Sequence, residues 1–138
     1  MYLPINVEDR HWIAAHVNIV TRHVTLYDSS RAATQDWFHF NNCECLTVLF
    51  PYLLKVGGFY NHRLELTYNG TPILDAFTIS RIDVKQYPQQ SISGDCGIFM
   101  LKCIEYLSSD RTIDFTQKHI QLFREKYCID VFHNELSL

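Results

Sequence analysis

No stretch of the 138 residues approaches the roughly 20 consecutive apolar positions that a membrane-spanning helix requires, so a helical membrane protein is excluded. Nor do the first residues read as a secretory leader. Met1-Tyr2-Leu3-Pro4-Ile5-Asn6-Val7 has neither a basic start nor a long apolar centre. Positive charge is scarce: 12 Lys and Arg stand against 15 Asp and Glu, for a net charge of -3, which gives a nucleic-acid partner no electrostatic basis. There is no internal repeat and no low-complexity tract. An even set of cysteines is also missing. Cys43, Cys45, Cys96, Cys103 and Cys128 make five, and with no leader an odd number points to free thiols in a reducing compartment, the nucleus or cytoplasm.

What is present argues for a folded domain. Apolar residues make up 47% and aromatics 14%, ample for a core in one domain covering residues 1–138. Residues 2–7 and 12–19 read as strands, and residues 22–27 alternate, with Val24 and Leu26 on one face. Residues 34–56 read as helical, kinked or divided by Pro51 and ended by Gly57-Gly58. Residues 59–75 read as irregular, with turn signals at Asn69-Gly70 and Pro72, and residues 76–86 as a further strand. A loop from Tyr87 to Gly94 leads into an apolar helix over 96–108. A last helix covers about 115–135, with Asp114 and Gln117 as a capping box and Ile120, Phe123, Tyr127 and Val131 as its apolar stripe. Strands alternating with helices and no linker give one α+β domain.

Cys96, in Gly94-Asp95-Cys96-Gly97, is the natural place to look for chemistry. A helix start offers unpaired N–H groups and partial positive charge, both of which favour the nucleophilic thiolate. The alternative is a buried structural cysteine. Among seven histidines, His11 opens the strand whose odd positions, Ile13, Ala15, Val17 and Ile19, are apolar, and Asp28 follows the strand carrying Val24 and Leu26. A hairpin turning near residues 18–21 opposes 13 to 26, 15 to 24 and 11 to 28. A register shift of two would keep both polar residues on one face. A carboxylate on one imidazole nitrogen orients the ring, and the other nitrogen can take a thiol proton. The alternative is a strand-end histidine beside a turn-forming Asp28-Ser29-Ser30.

His11-Trp12, Tyr27-Asp28-Ser29 seventeen residues on, and Pro88-Gln89-Gln90-Ser91-Ile92-Ser93-Gly94-Asp95-Cys96-Gly97-Ile98-Phe99 resemble the ubiquitin-like-protein (SUMO-specific) cysteine protease family. The resemblance runs from about residue 2 to residue 108. It implies a papain-like fold with a central mixed or antiparallel sheet flanked by helices. It also implies Cys96 as nucleophile, His11 as general base and Asp28 as its orienting acid. Gln90, rather than its neighbour Gln89, would donate to the oxyanion together with the Cys96 N–H. Trp12, otherwise a strand aromatic, would roof a channel admitting a diglycine tail. The implied partner is a SUMO-type ubiquitin-like protein and its conjugates, cut by peptidase or isopeptidase chemistry without cofactor or metal. Family domains carry a substantial segment ahead of this first strand. The sequence therefore reads as a partial domain, and the rival reading is an inactive truncated paralogue that at most binds a ubiquitin-like partner. His39, Cys43 and Cys45 suggest a metal site only weakly, because a second ligand pair is missing and 43 and 45 face different sides of a helix. Cys103 is expected in the core.

Overall fold

A computed structural model describes residues 1–133. Strands β1 (Tyr2–Val7), β2 (His11–Asn18) and β3 (His23–Tyr27) form an antiparallel meander. Helix α1 (Asp36–Asn42), a π-helical turn over Cys45–Leu49 and helix α2 (Phe50–Val56) follow. A two-stranded hairpin of β4 (Thr67–Tyr68) and β5 (Thr71–Pro72) precedes β6 (Thr78–Arg81), which pairs parallel to β3. The sheet order is thus β1-β2-β3-β6, a mixed sheet. Helices α3 (Cys96–Ser108) and α4 (Ile120–His133) complete the fold. The final residues of the expected last helix lie outside the described residues.

The sheet is covered on both faces, which explains why β2 carries consecutive buried residues rather than strict alternation. Ile13, Ala15 and Val17 join Val24, Leu26, Cys43 and Phe77 beneath α1 and α2. Ala14 faces the other way, against Phe99, Met100 and Cys103 of α3. Its methyl group leaves room for α3 to lie close to the sheet. Cys103 is fully buried, as expected.

Several local expectations are corrected. The helical stretch is divided at Cys43, and Pro51 sits in the first turn of α2. Because Pro51 cannot donate back one turn, the Thr47 carbonyl is free, and it accepts the Phe77 N–H at 2.9 Å. Asn69 and Gly70 both have positive φ (49° and 79°) and make a two-residue hairpin turn inside the stretch expected to be irregular. Strand β6 stops at Arg81 because Asp83 turns the chain, its carboxylate accepting Lys85 N–H at 2.8 Å. The last helix is capped by Thr116 and His119, not Asp114 and Gln117, and Val131 on its expected apolar stripe is exposed. No helix among the described residues is long and apolar enough to cross a membrane.

Candidate active site

The β2–β3 pairing sets Ala15 opposite Leu26 and Val17 opposite Val24, two residues away from the expected register. His11 and Asp28 are therefore diagonal rather than directly opposed. The shift is even, so both stay on one face, and His11 Nε2 lies 2.7 Å from Asp28 Oδ1. Asn18 sets this longer turn by accepting the Thr21 N–H on its side chain.

Asp28 is 1% exposed and held from several sides. Its Oδ1 also accepts the Ser30 N–H at 2.8 Å. Its Oδ2 lies 3.0 Å from His39 Nε2, without hydrogen-bond alignment, and 3.7 Å from Arg81 Nη2. Burial alone would raise the carboxyl pKa. The contacts with His11 and His39, the Ser30 N–H and the His11 charge outweigh burial and hold it well below the usual carboxylate range. Asp28 is therefore an anion at neutral pH, and the His11 Nε2 facing it carries a proton. That leaves His11 Nδ1 as the nitrogen that can take a proton from a thiol.

Cys96 is the first residue of α3, nearly buried at 7% exposure. The first helical acceptor is the Asp95 carbonyl, which takes the Ile98 and Phe99 N–H groups. The Cys96 N–H therefore has no helical partner. The neighbouring Asp95 carboxylate would repel a thiolate. Its charge is paired instead with Arg124 at 2.6 Å, and its other oxygen accepts from Gln117 at 2.7 Å. Gln117 also accepts the Ser91 N–H at 2.8 Å, so one side chain clamps both ends of the loop ahead of Cys96. Gly94, at φ +88°, makes the reversal that turns this loop into α3.

His11, Gln90, Gly94 and Cys96 line one cavity of about 360 Å³, with His39 at its wall. Gln90 accepts from Ser29 Oγ at 2.7 Å and donates one amide hydrogen to the Ile92 carbonyl at 3.3 Å, which leaves its second amide hydrogen for another acceptor. Gln89, the neighbouring candidate, is committed elsewhere. Its amide donates to the Asp28 and Tyr87 carbonyls, and its oxygen accepts the Arg31 N–H. Trp12 does not line the cavity. It lies 39% exposed on the opposite face of β2, beside Gly97 at the start of α3.

Sequence reasoning missed three groups. His39 was weighed only as a metal ligand, yet it is fully buried against Asp28 and Thr34, while Cys43 is buried and Cys45 exposed. Arg81 cross-links Asp28 to the carbonyls of Arg31 and Thr34. Gln117 carries no local signal of its contact with Ser91.

This is the architecture of a papain-like cysteine proteinase domain. The chain belongs to the Ulp1 protease family: residues 1–135 match the family model for its C-terminal catalytic domain. Sentrin-specific protease 2 of Mus musculus is 41% identical over 51 residues, 37% of this chain and 9% of that protein. The putative ubiquitin-like-specific protease 1B of Arabidopsis thaliana is 26% identical over 124 residues, 90% of this chain and 31% of that protein. Among solved structures, the SUMO protease Ulp1 with its catalytic cysteine oxidised to a sulfenic acid superposes with a TM-score of 0.65. It shares 19% identity and covers 99% of this chain and 53% of that one. The C-terminal Ulp1 protease domain in complex with Smt3, the yeast ortholog of SUMO, gives 0.60 at 22% identity, covering 89% and 47%. The chain thus spans about half of those solved domains and less than a third of these two curated relatives.

Proposed function

We propose that this chain carries a SUMO-directed cysteine peptidase centre that cleaves after the C-terminal diglycine of a ubiquitin-like modifier. The observation that supports it most is the convergence of His11, Gln90 and Cys96 on one cavity, with Asp28 holding the far nitrogen of His11 at 2.7 Å. The Cys96 thiol passes its proton to His11 Nδ1, and the thiolate attacks the carbonyl carbon of the terminal glycine. A C–S bond forms and the carbonyl electrons move onto oxygen. The Cys96 N–H and the spare Gln90 amide hydrogen receive that oxyanion. As it collapses, the C–N bond breaks and His11 gives its proton to the leaving amine. Water then attacks the thioester carbonyl, losing a proton to His11; the C–S bond breaks, the Cys96 thiolate takes that proton back, and the modifier leaves as an acid that ionises to the carboxylate.

Asp28 keeps His11 in the required tautomer and balances the imidazolium charge. Trp12, beside Gly97, is suited to roofing a tail in which only glycine fits beneath an indole. The SUMO-type partner rests on the Smt3 complex of the Ulp1 domain, and isopeptidase action follows from the same chemistry applied to a lysine-linked glycine. Free thiols throughout the described residues suit a reducing compartment, the nucleus or cytoplasm.

A SUMO-type protein bearing an electrophile at its terminal glycine tests the reading. The expected result is one covalent adduct at Cys96, absent in Cys96→Ala, with Gln90→Ala slowing turnover about 10²–10³-fold. A folded wild-type protein that forms no adduct would refute it, and faster labelling by a ubiquitin-tailed probe would overturn the substrate class.

A further inference from the structure

The Asp28 carboxylate is shared. One oxygen holds His11, while a second imidazole, His39, stands 3.0 Å from the other. His39 is completely buried on α1, and its Nε2 is also 2.6 Å from Thr34 Oγ1. Its Nδ1 is buried with no hydrogen-bond partner. A hydrogen on Nε2 suits this arrangement, because a bare nitrogen lone pair there would face an anionic oxygen. A protonated ring would instead strand a second donor at Nδ1. The neutral Nε2–H form therefore sits between Thr34 and Asp28. Its polar N–H edge lies 3.0 Å from Oδ2, off hydrogen-bond alignment, and steadies that oxygen electrostatically without a second full positive charge to compete with His11. The His11 and His39 ring centroids are 6.3 Å apart, on either side of this one carboxylate.

Resting on the peptidase reading above, we propose that His39 is a positioning residue: it fixes the rotation of the Asp28 carboxylate so that Oδ1 stays on His11 Nε2 and His11 Nδ1 stays aimed at the cavity that holds Cys96. Arg81, 3.7 Å from Oδ2, is too far to hold that oxygen by a hydrogen bond, and it is already engaged by the Arg31 and Thr34 carbonyls. Without His39 the carboxylate can swing, and the His11 ring loses its fixed acceptor.

The charged and titratable groups around this set are few. Arg81 comes from β6. Arg31 pairs with Asp36 at 3.5 Å, and Asp36 also faces Arg81 at 3.4 Å. Tyr87 faces Asp28 from the loop before α3. Glu8 and Arg10 line the cavity from the β1–β2 turn. None of these is an imidazole or a thiol, so the pH dependence of Cys96 reactivity near neutrality reads the His11–Cys96 pair and its support.

The test is the rate of Cys96 alkylation by iodoacetamide against pH, resolved by peptide mass spectrometry because Cys45 and Cys128 are exposed. In His39→Leu, which cannot donate, the low-pH limb should move up by about one pH unit, and kcat on a SUMO-type substrate should fall about 10- to 100-fold with KM unchanged. His39→Gln places an amide N–H near the original Nε2 and should restore most of both. Should His39→Leu fail to fold, His39→Met, which also lacks an N–H at this position, takes its place and should shift the limb the same way. An unmoved limb in whichever of these variants folds would overturn the proposal, as would a folded His39→Gln that behaves like His39→Leu. A wild-type Cys96 that alkylates as an ordinary thiol, with a midpoint near pH 8.5, would refute the peptidase reading itself, a result visible before any variant is made.

Discussion

Asp28→Asn is the sharpest perturbation available, because its effect on stability can be read without any substrate. The change preserves shape but replaces one acceptor oxygen with a donor. If the new NH₂ faces His11 and the Ser30 N–H, two donors meet a third. If it faces the other way, it meets His39 Nε2 and the buried Arg81. Either way a side chain that is 1% exposed loses its charge, and Arg81, also nearly buried, keeps only Asp36 as a counter-charge. Breaking one side of a buried charged network costs about 3–5 kcal/mol. With an unfolding entropy of about 2.1 cal/mol/K per residue, a 138-residue domain has about 0.3 kcal/mol/K, so 3 kcal/mol lowers Tm by about 10 °C.

The pH dependence fixes the sign. The folded Asp28 carboxyl titrates below its unfolded value, so between the two values the unfolded chain binds more protons and stability rises with pH. The contribution is complete above an unfolded value of about 3.9 and is lost as pH falls through the depressed folded one. Thermal melts of both proteins followed by circular dichroism should therefore show a gap of about 10 °C at pH 7 that narrows below about pH 4. A mutant as stable as wild type at pH 7, or a gap that persists unchanged to pH 2, would refute this account of Asp28.

Gly94→Ala meets no atom within 4 Å, so its cost is the φ of +88° alone, about 1–2 kcal/mol, seen as a Tm lower by about 3–7 °C with slower Cys96 labelling. Gln117→Leu removes both bonds across the 91–95 loop, and hydrogen exchange should show the Ser91 amide losing protection while β2 amides keep theirs. Phe99→Ala empties a fully buried site between α3 and the sheet and should cost about 3–5 kcal/mol in urea unfolding, whereas Leu101→Ala, on the exposed side of the same helix, should cost under 1.

Strand alternation alone placed His11 and Asp28 on one face, because a two-residue register error leaves sidedness intact. The start of α3 at Cys96 was equally legible from the glycine-containing loop before an apolar run. The register itself was not, since Asn18 sets it through a side-chain turn rather than through hydrophobic pattern. The groups that steady the site were the least legible. His39, Arg81 and Gln117 act through contacts between elements distant in the chain, and no local spacing encodes them. The cap of the last helix was misplaced by two residues for a related reason: Gln117, which fits the capping pattern with Asp114, is drawn away to Ser91, and Thr116 with His119 takes its place.

The two cores on either side of the sheet have a consequence for how such a centre fails. His39 and the His11–Asp28 pair are held by the layer under α1 and α2, while Cys96 rides on α3 in the opposite layer. The thiol and its base are thus anchored in two hydrophobic layers that meet at the sheet. Loosening either layer by a fraction of an ångström would separate them while most of the backbone stayed paired. Under heat or mild denaturant, reactivity at Cys96 should fade before secondary structure does, making that cysteine an early reporter of partial unfolding.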